Sequence, residues 1–164
     1  MEAAPAPTVE LERLFTLHYR RLVSVLTVAA GDRAHAEDAV QEAFAQALVH
    51  WKRIERYDDP IGWLRRVALN RILNQRRSRR RHDAAVERLR VDDLADVSSE
   101  RGVRLDLAKA IASLPIQQRT AVALFYLDDL PSSEVAAAMG ITDGAVRYHL
   151  HAAREALTPL LETT

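Results

Sequence analysis

The stretch from Leu130 to Leu157, LPSSEVAAAMGITDGAVRYHLHAAREAL, decides how this chain folds. Its apolar residues recur at steps of three and four: Val135, Ala136 and Met139 before Gly140, then Val146, Leu150, Ala153 and Leu157 after it. That spacing predicts two helices, about Ser132 to Met139 and Thr142 to Leu161, that bury a shared seam. Ser132 is placed to cap the first helix, and Gly140 to close it in a left-handed conformation. Ile141 plugs the turn, and Thr142 or Asp143 caps the second helix. With the seam buried, Gly144, Tyr148, His151 and Glu155 face outward, flanked by Arg147 and Arg154. This is a helix-turn-helix pattern, and the exposed N-terminal part of such a second helix meets base edges in the major groove. An ordinary helical hairpin shares the glycine but does not need caps, plug and seam to agree.

The rest of the chain reads as helix too. It has 164 residues, 48% hydrophobic, with five glycines and much Ala, Leu, Arg and Glu, and no useful alternating strand pattern. A first helix is expected at about Val9 to Ala29, burying Leu11, Leu14, Phe15, Leu22, Val25 and Leu26. Gly31 and Asp32 break it. A second helix is expected from Ala34 to Ile54, with Val40, Ala43, Phe44, Ala47, Leu48 and Trp51 on one stripe. Tyr57 to Pro60 form a loop, and Pro60 suits the start of a third helix. Two more helices, about Arg104 to Ser113 and Pro115 to Leu127, precede the helix-turn-helix. The expected fold class is all-α: an N-terminal helical bundle over 8–82, an acidic flexible linker over 83–103, and a C-terminal four-helix unit with the helix-turn-helix over 104–162. Asp92, Asp93, Asp96 and Glu100 give the linker its charge.

The third helix carries a second pattern. From Trp63 to Arg81 the sequence is WLRRVALNRILNQRRSRRR. Leu64, Val67, Ala68 and Ile72 form its buried stripe. On another side, Trp63, Arg66, Asn70 and Arg77 line up. Trp offers a stacking face, Asn can read a base edge, and Arg supplies phosphate contact, a mixture that suits unstacked bases. The helix ends in Arg76, Arg77, Arg79, Arg80 and Arg81, which is also what a solvated basic face looks like. The formal net charge of zero conceals a split: residues 1–90 hold 17 Lys and Arg against 12 Asp and Glu, while residues 91–164 hold 6 against 11. Such an asymmetry points to two units with different electrostatic tasks, one of them a nucleic-acid contact. It also raises the expectation that the basic half packs on the acidic half in the free chain.

A third pattern is Asp38-Ala-Val-Gln41-Glu42-Ala-Phe44. Asp38 and Glu42 lie one turn apart, away from the apolar stripe, and suit a protein-contact surface. Paired carboxylates also serve metals or acid–base chemistry, but neither a histidine nor a glycine-rich loop accompanies them. His149 and His151 point to different sides of their helix. No metal, cofactor or catalytic residue is expected, and the chain is not read as an enzyme. The absence of cysteine excludes disulfides and thiolate chemistry. With no apolar run approaching the roughly 20 residues that span a bilayer and no signal peptide at MEAAPAPTVE, the expected location is cytoplasmic, without membrane insertion.

DAVQEAF, then WLRRVALNRILNQRRSRRR, then SLPIQQRTAVALFYLDDLPSSEVAAAMGITDGAVRYHLHAAREAL, in this order and spacing, resemble the extracytoplasmic-function (ECF) group of bacterial RNA polymerase sigma factors, from about Leu11 to Leu161. The resemblance implies core RNA polymerase, through its β and β′ subunits, and promoter DNA as partners. An anti-sigma factor is a further candidate, because many members are held inactive by one. It assigns Asp38, Gln41 and Glu42 to polymerase docking. It assigns Tyr57, Asp58 and Asp59 to the loop that, with Trp63, Arg66 and Asn70, handles the melted −10 element, and Arg76, Arg77 and Arg79 to Arg81 to the DNA backbone. It assigns Asp143, Gly144, Arg147, Tyr148, His151 and Arg154 to the −35 element, and threads the linker through the polymerase. One departure stands out: where members usually carry Lys, Ser and Arg, this chain has Arg147, Tyr148 and His149, so its −35 side is less basic. The alternative is a helix-turn-helix regulator that binds duplex DNA without polymerase.

Overall fold

The computed structural model describes residues 7–82 and 103–162; the side chains of Pro7, of residues 76–82 and 103–106, and of Leu161 lie outside that description. The expected linker and the side chains of Arg76, Arg77 and Arg79 to Arg81 therefore fall largely outside it. The described elements are all helical: α1 (Pro7–Ala30), α2 (Arg33–Val49), α3 (Trp51–Ile54), α4 (Pro60–His82), α5 (Val103–Ala112), α6 (Ile116–Val122), a π-helical turn (Ala123–Leu127), α7 (Ser132–Met139) and α8 (Asp143–Glu162).

Local chemistry sets the breaks. Gly31 stands at φ 79°, a left-handed conformation that closes α1 through its N–H to the Thr27 carbonyl at 2.9 Å. Asp32 then caps α2, its Oδ1 accepting from the Ala34 and His35 amides at 2.7 and 3.3 Å. The expected single helix from Ala34 to Ile54 is instead two. His50 leaves helical geometry at φ −107°, ψ 18°, and Trp51 and Ile54 on the short α3 turn into the core at 3% and 0% exposure. Asp59 caps α4, its Oδ1 accepting from the Gly62 amide at 2.9 Å, with Pro60 as first helical residue. A Cβ on Gly62 would fall 2.3 Å from Asp59 Oδ2, so glycine there leaves the cap its room.

The N-terminal bundle is α1 to α4, with α2 packed against both α1 and α4. Leu26, Ile54, Leu64 and Leu69 are its fully buried centre. Two apolar residues expected inside are out: Phe15 is 41% and Leu48 55% exposed. Phe15 lies on the outer edge of the α1–α2 seam, where it stacks on Tyr19 with centroids 4.5 Å apart and meets Phe44 edge-on at 5.0 Å.

In the C-terminal unit α6 and α7 both pack on α8. Val135, Ala136, Met139, Val146, Leu150 and Ala153 bury the helix-turn-helix seam as expected, and Leu157 is half-buried. Gly140 takes φ 68°, ψ 33°. Thr142 caps α8 through its hydroxyl to the Ala145 amide at 3.1 Å. Ser132 does not cap α7. Pro131 holds that position at φ −64°, ψ 155° with no side-chain hydrogen bond, because a proline that fixes φ already orients the first turn. The expected helix from Pro115 to Leu127 also changes form, its last turn widening into the π turn.

The two units share one hydrophobic core. Buried residues of α1, α2 and α4 and those of α5 to α8 belong to a single cluster, with α1 against α6 and the π turn, and α4 against α7.

Candidate nucleic-acid interface

On α2, Asp38 and Gln41 are exposed and Glu42 half-buried, so the three share an accessible side. Their neighbours hold them in place. Arg71 of α4 reaches Asp38 at 3.3 Å, Gln41 Nε2 donates to the Tyr19 hydroxyl at 3.1 Å, and Gln46 donates to Glu42 at 3.4 Å. Asp38 and Glu42 do not converge on a metal pocket; among the described residues no group of three or more His, Cys, Asp or Glu could hold a metal ion.

On α4, Arg66 and Asn70 are exposed, while Trp63 is half-buried and packs against the core. The structure thus brings Arg66 and Asn70 onto one accessible side and leaves only part of the Trp63 ring available for stacking. Asn70 borders a hollow of about 560 Å³ lined by Gln46, Val67, Asn70, Arg71, Asn74 and Gln75. The amide-rich lining from Gln46, Asn74 and Gln75 was not anticipated from sequence. Gln46 belongs to α2, and only the packing of α2 on α4 carries it there. Tyr57, Asp58 and Asp59 form the exposed loop before α4, where the Asp59 carboxyl is committed to the cap. Arg65 departs furthest from its sequence context. It sits beside Arg66 in a basic run, yet it is 9% exposed and donates Nε to Asp128 at 2.9 Å.

On α8, Gly144, Arg147, Tyr148, His151 and Arg154 are all exposed, Tyr148 at 67%. Arg147, His151 and Arg154 each have a local partner. Arg147 pairs with Asp143, and His151 Nε2 stands 3.1 Å from Glu155. Arg154 donates to the Tyr126 hydroxyl at 2.7 Å and lies 5.7 Å over its ring, a cation–π contact. The Ser132 hydroxyl and the Arg147 guanidinium hold the Asp143 carboxyl below its ordinary pKa. A Cβ on Gly144 would meet nothing within 4 Å, so no internal packing demands glycine there.

No helix among the described residues is long and apolar enough to cross a membrane.

Residues 14–82 match Sigma-70 region 2, and residues 104–157 match Sigma-70, region 4. The ECF RNA polymerase sigma factor SigF of Caulobacter vibrioides is 35% identical over 78% of this chain and 72% of its own. The RNA polymerase sigma-E factor of Streptomyces antibioticus is 28% identical over 98% of this chain and 89% of its own. Among solved structures, the sigma factor RpoE from Bartonella quintana, crystallised with the anti-sigma factor NepR, superposes with a TM-score of 0.68 at 22% identity, covering 92% of this chain and 95% of that one. With both regions matched in order and relatives aligned across most of their length, the chain belongs to the ECF RNA polymerase sigma factors, which direct promoter-specific transcription initiation.

Proposed function

We propose that the three surfaces divide promoter recognition between them. Asp38, Gln41 and Glu42 dock core polymerase. Arg66, Asn70 and Trp63, with Tyr57 to Asp59 before them, take bases of the melted −10 element, and the arginines from Arg76 to Arg81 hold its backbone. Asp143, Gly144, Arg147, Tyr148, His151 and Arg154 meet the −35 duplex. The observation that carries this reading is the amide-rich hollow beside the exposed Asn70. Amides pair with base edges in both donor and acceptor senses, and a flipped base brings such edges within reach, its unstacking costing a few kcal/mol. Gly144 supports the −35 assignment, since its open surroundings let DNA approach the start of α8 closely.

The chain performs no catalysis of its own in this reading and acts in the cytoplasm, where polymerase and promoter are. The Bartonella quintana sigma factor was solved with an anti-sigma factor; a partner of that kind is the candidate regulator here. Run-off transcription with core polymerase and the full chain across genomic fragments is the test. Discrete transcripts that require the chain support it. A chain that shifts specific duplex alone and yields no transcript with polymerase would instead be a duplex-binding regulator.

A further inference from the structure

Where the two units meet, one carboxylate takes two guanidinium groups from the other half of the chain. Asp128, directly after the π turn, accepts from Arg21 Nε at 2.8 Å and from Arg65 Nε at 2.9 Å. The Asp128 side chain is 7% and that of Arg65 10% exposed. Arg21 adds a hydrogen bond to the Leu127 carbonyl at 3.2 Å. The next residue, Asp129, stands at φ 53°, a conformation non-glycine residues rarely adopt, so the turn presenting Asp128 is held in a specific shape. The apolar packing between the units is indifferent to charge. This cluster is not, because removing the Asp128 carboxylate leaves Arg65 buried without its partner, while Arg21 keeps only the exposed Asp129 carboxylate 3.7 Å away.

The arrangement also opposes promoter engagement. In a helix-turn-helix complex the first helix crosses the DNA backbone while the second enters the groove. Here that first helix, α7, lies against α4, and Ala138, which the seam with α8 does not need, is buried at 5%. The helix that would approach the −35 backbone is thus packed on the helix that would hold the melted −10 strand.

We propose that Asp128 is a charge latch that holds the C-terminal unit on the N-terminal unit in the free chain, and that polymerase binding requires its release. The consequence rests on the promoter-reading assignment above; the closed state itself is tested without DNA or polymerase. The chain has no cysteine, so Lys52→Cys and Lys109→Cys, both at exposed positions, accept a dye pair at those two places alone. Single-molecule energy transfer on the free full-length chain is expected to give one compact distribution. Asp128→Asn shifts the population toward extended forms by about tenfold or more, the scale set by leaving a part-buried charge unpaired. Arg21→Gln, at a side chain 55% exposed, gives a smaller shift in the same direction. The double variant Asp128→Asn with Arg65→Gln opens no further than Asp128→Asn alone, since both act through one interaction. Circular dichroism separates opening from unfolding, and if Asp128→Asn loses helix, Arg21→Gln decides. Compact distributions in Asp128→Asn and Arg21→Gln with helix content intact would overturn the latch. Opened chains whose affinity for core polymerase does not rise would overturn its regulatory role.

Discussion

The helices α4 and α8, assigned above to the −10 and −35 elements, handle charge in opposite ways. On α8 the outward polar side chains find partners nearby: Arg147 pairs with Asp143, His151 meets Glu155, and Arg154 meets Tyr126. On α4 the inner cations are answered from elsewhere in the fold, Arg65 by Asp128 and Arg71 by Asp38, while Arg66 and Asn70 stay exposed and the sequence runs on into five arginines. The difference separates two physical terms. An arginine run gains affinity by displacing counterions from phosphate, with little sequence information. A neutral, sterically defined face gains little from charge and depends on direct base contact and on tethering by polymerase, which multiplies weak sites.

The largest effect should come from the arginine run. Replacing Arg76, Arg77, Arg79, Arg80 and Arg81 with Gln should reduce promoter affinity of the holoenzyme by about a hundredfold or more, and lower the salt slope by about 0.7–0.9 for each phosphate that is no longer neutralised. Filter binding across a salt series reads both, and an unchanged slope would erase the contrast with α8. Next comes docking. Asp38→Arg or Glu42→Arg should weaken core-polymerase retention by about tenfold or more. Thermal unfolding should barely move, because the Asp38–Arg71 pair is 62% and 39% exposed and such pairs contribute under about 1 kcal/mol. Unchanged retention in a pull-down would remove α2 from the docking surface.

A smaller effect is expected on α8. Arg147→Ala should relax preference at one −35 base pair by about 1–3 kcal/mol, read by competition among promoter variants. The same variant should let the Asp143 carboxyl titrate closer to its ordinary pKa, since one of the two groups lowering it is gone; carboxyl NMR shifts follow this. Because Asp143 is lowered in the folded chain, its favourable contribution is present above the ordinary carboxylate range and is lost as pH falls through its folded value. The smallest effect is Tyr126→Phe, which keeps the ring beneath Arg154 and removes the 2.7 Å hydrogen bond. It should cost −35 binding about 1 kcal/mol or less.

Much of this was readable from sequence, for physical reasons. The seam of Val135, Met139, Val146 and Leu150 and the stripe of Leu64, Ala68 and Ile72 follow helical periodicity, and burial follows the stripe. Gly140 and Thr142 act locally, so their neighbours suffice to assign them. What could not be read depends on partners distant in sequence. Arg65 looks like one more cation beside Arg66 until Asp128, 63 positions away, claims it. Leu48 and Phe15 sit on the predicted apolar stripes, but periodicity cannot tell a covered position on a stripe from an exposed one. Ser132 is a good capping residue by type; the preceding proline removed the need, and its hydroxyl lowers the Asp143 pKa instead. The charge split between halves pointed to their packing without identifying the residues that meet.

The division of labour is tested most directly by open-complex formation with a holoenzyme carrying Trp63→Ala and Asn70→Ala, measured by permanganate reactivity of the melted strand and scaled to polymerase retention in the same sample. Losing a stacking face and an amide, each worth about 1–3 kcal/mol, should reduce opening by about thirtyfold or more while retention stays at the wild-type level. An equal loss of both, or full opening in the variant, would contradict the account.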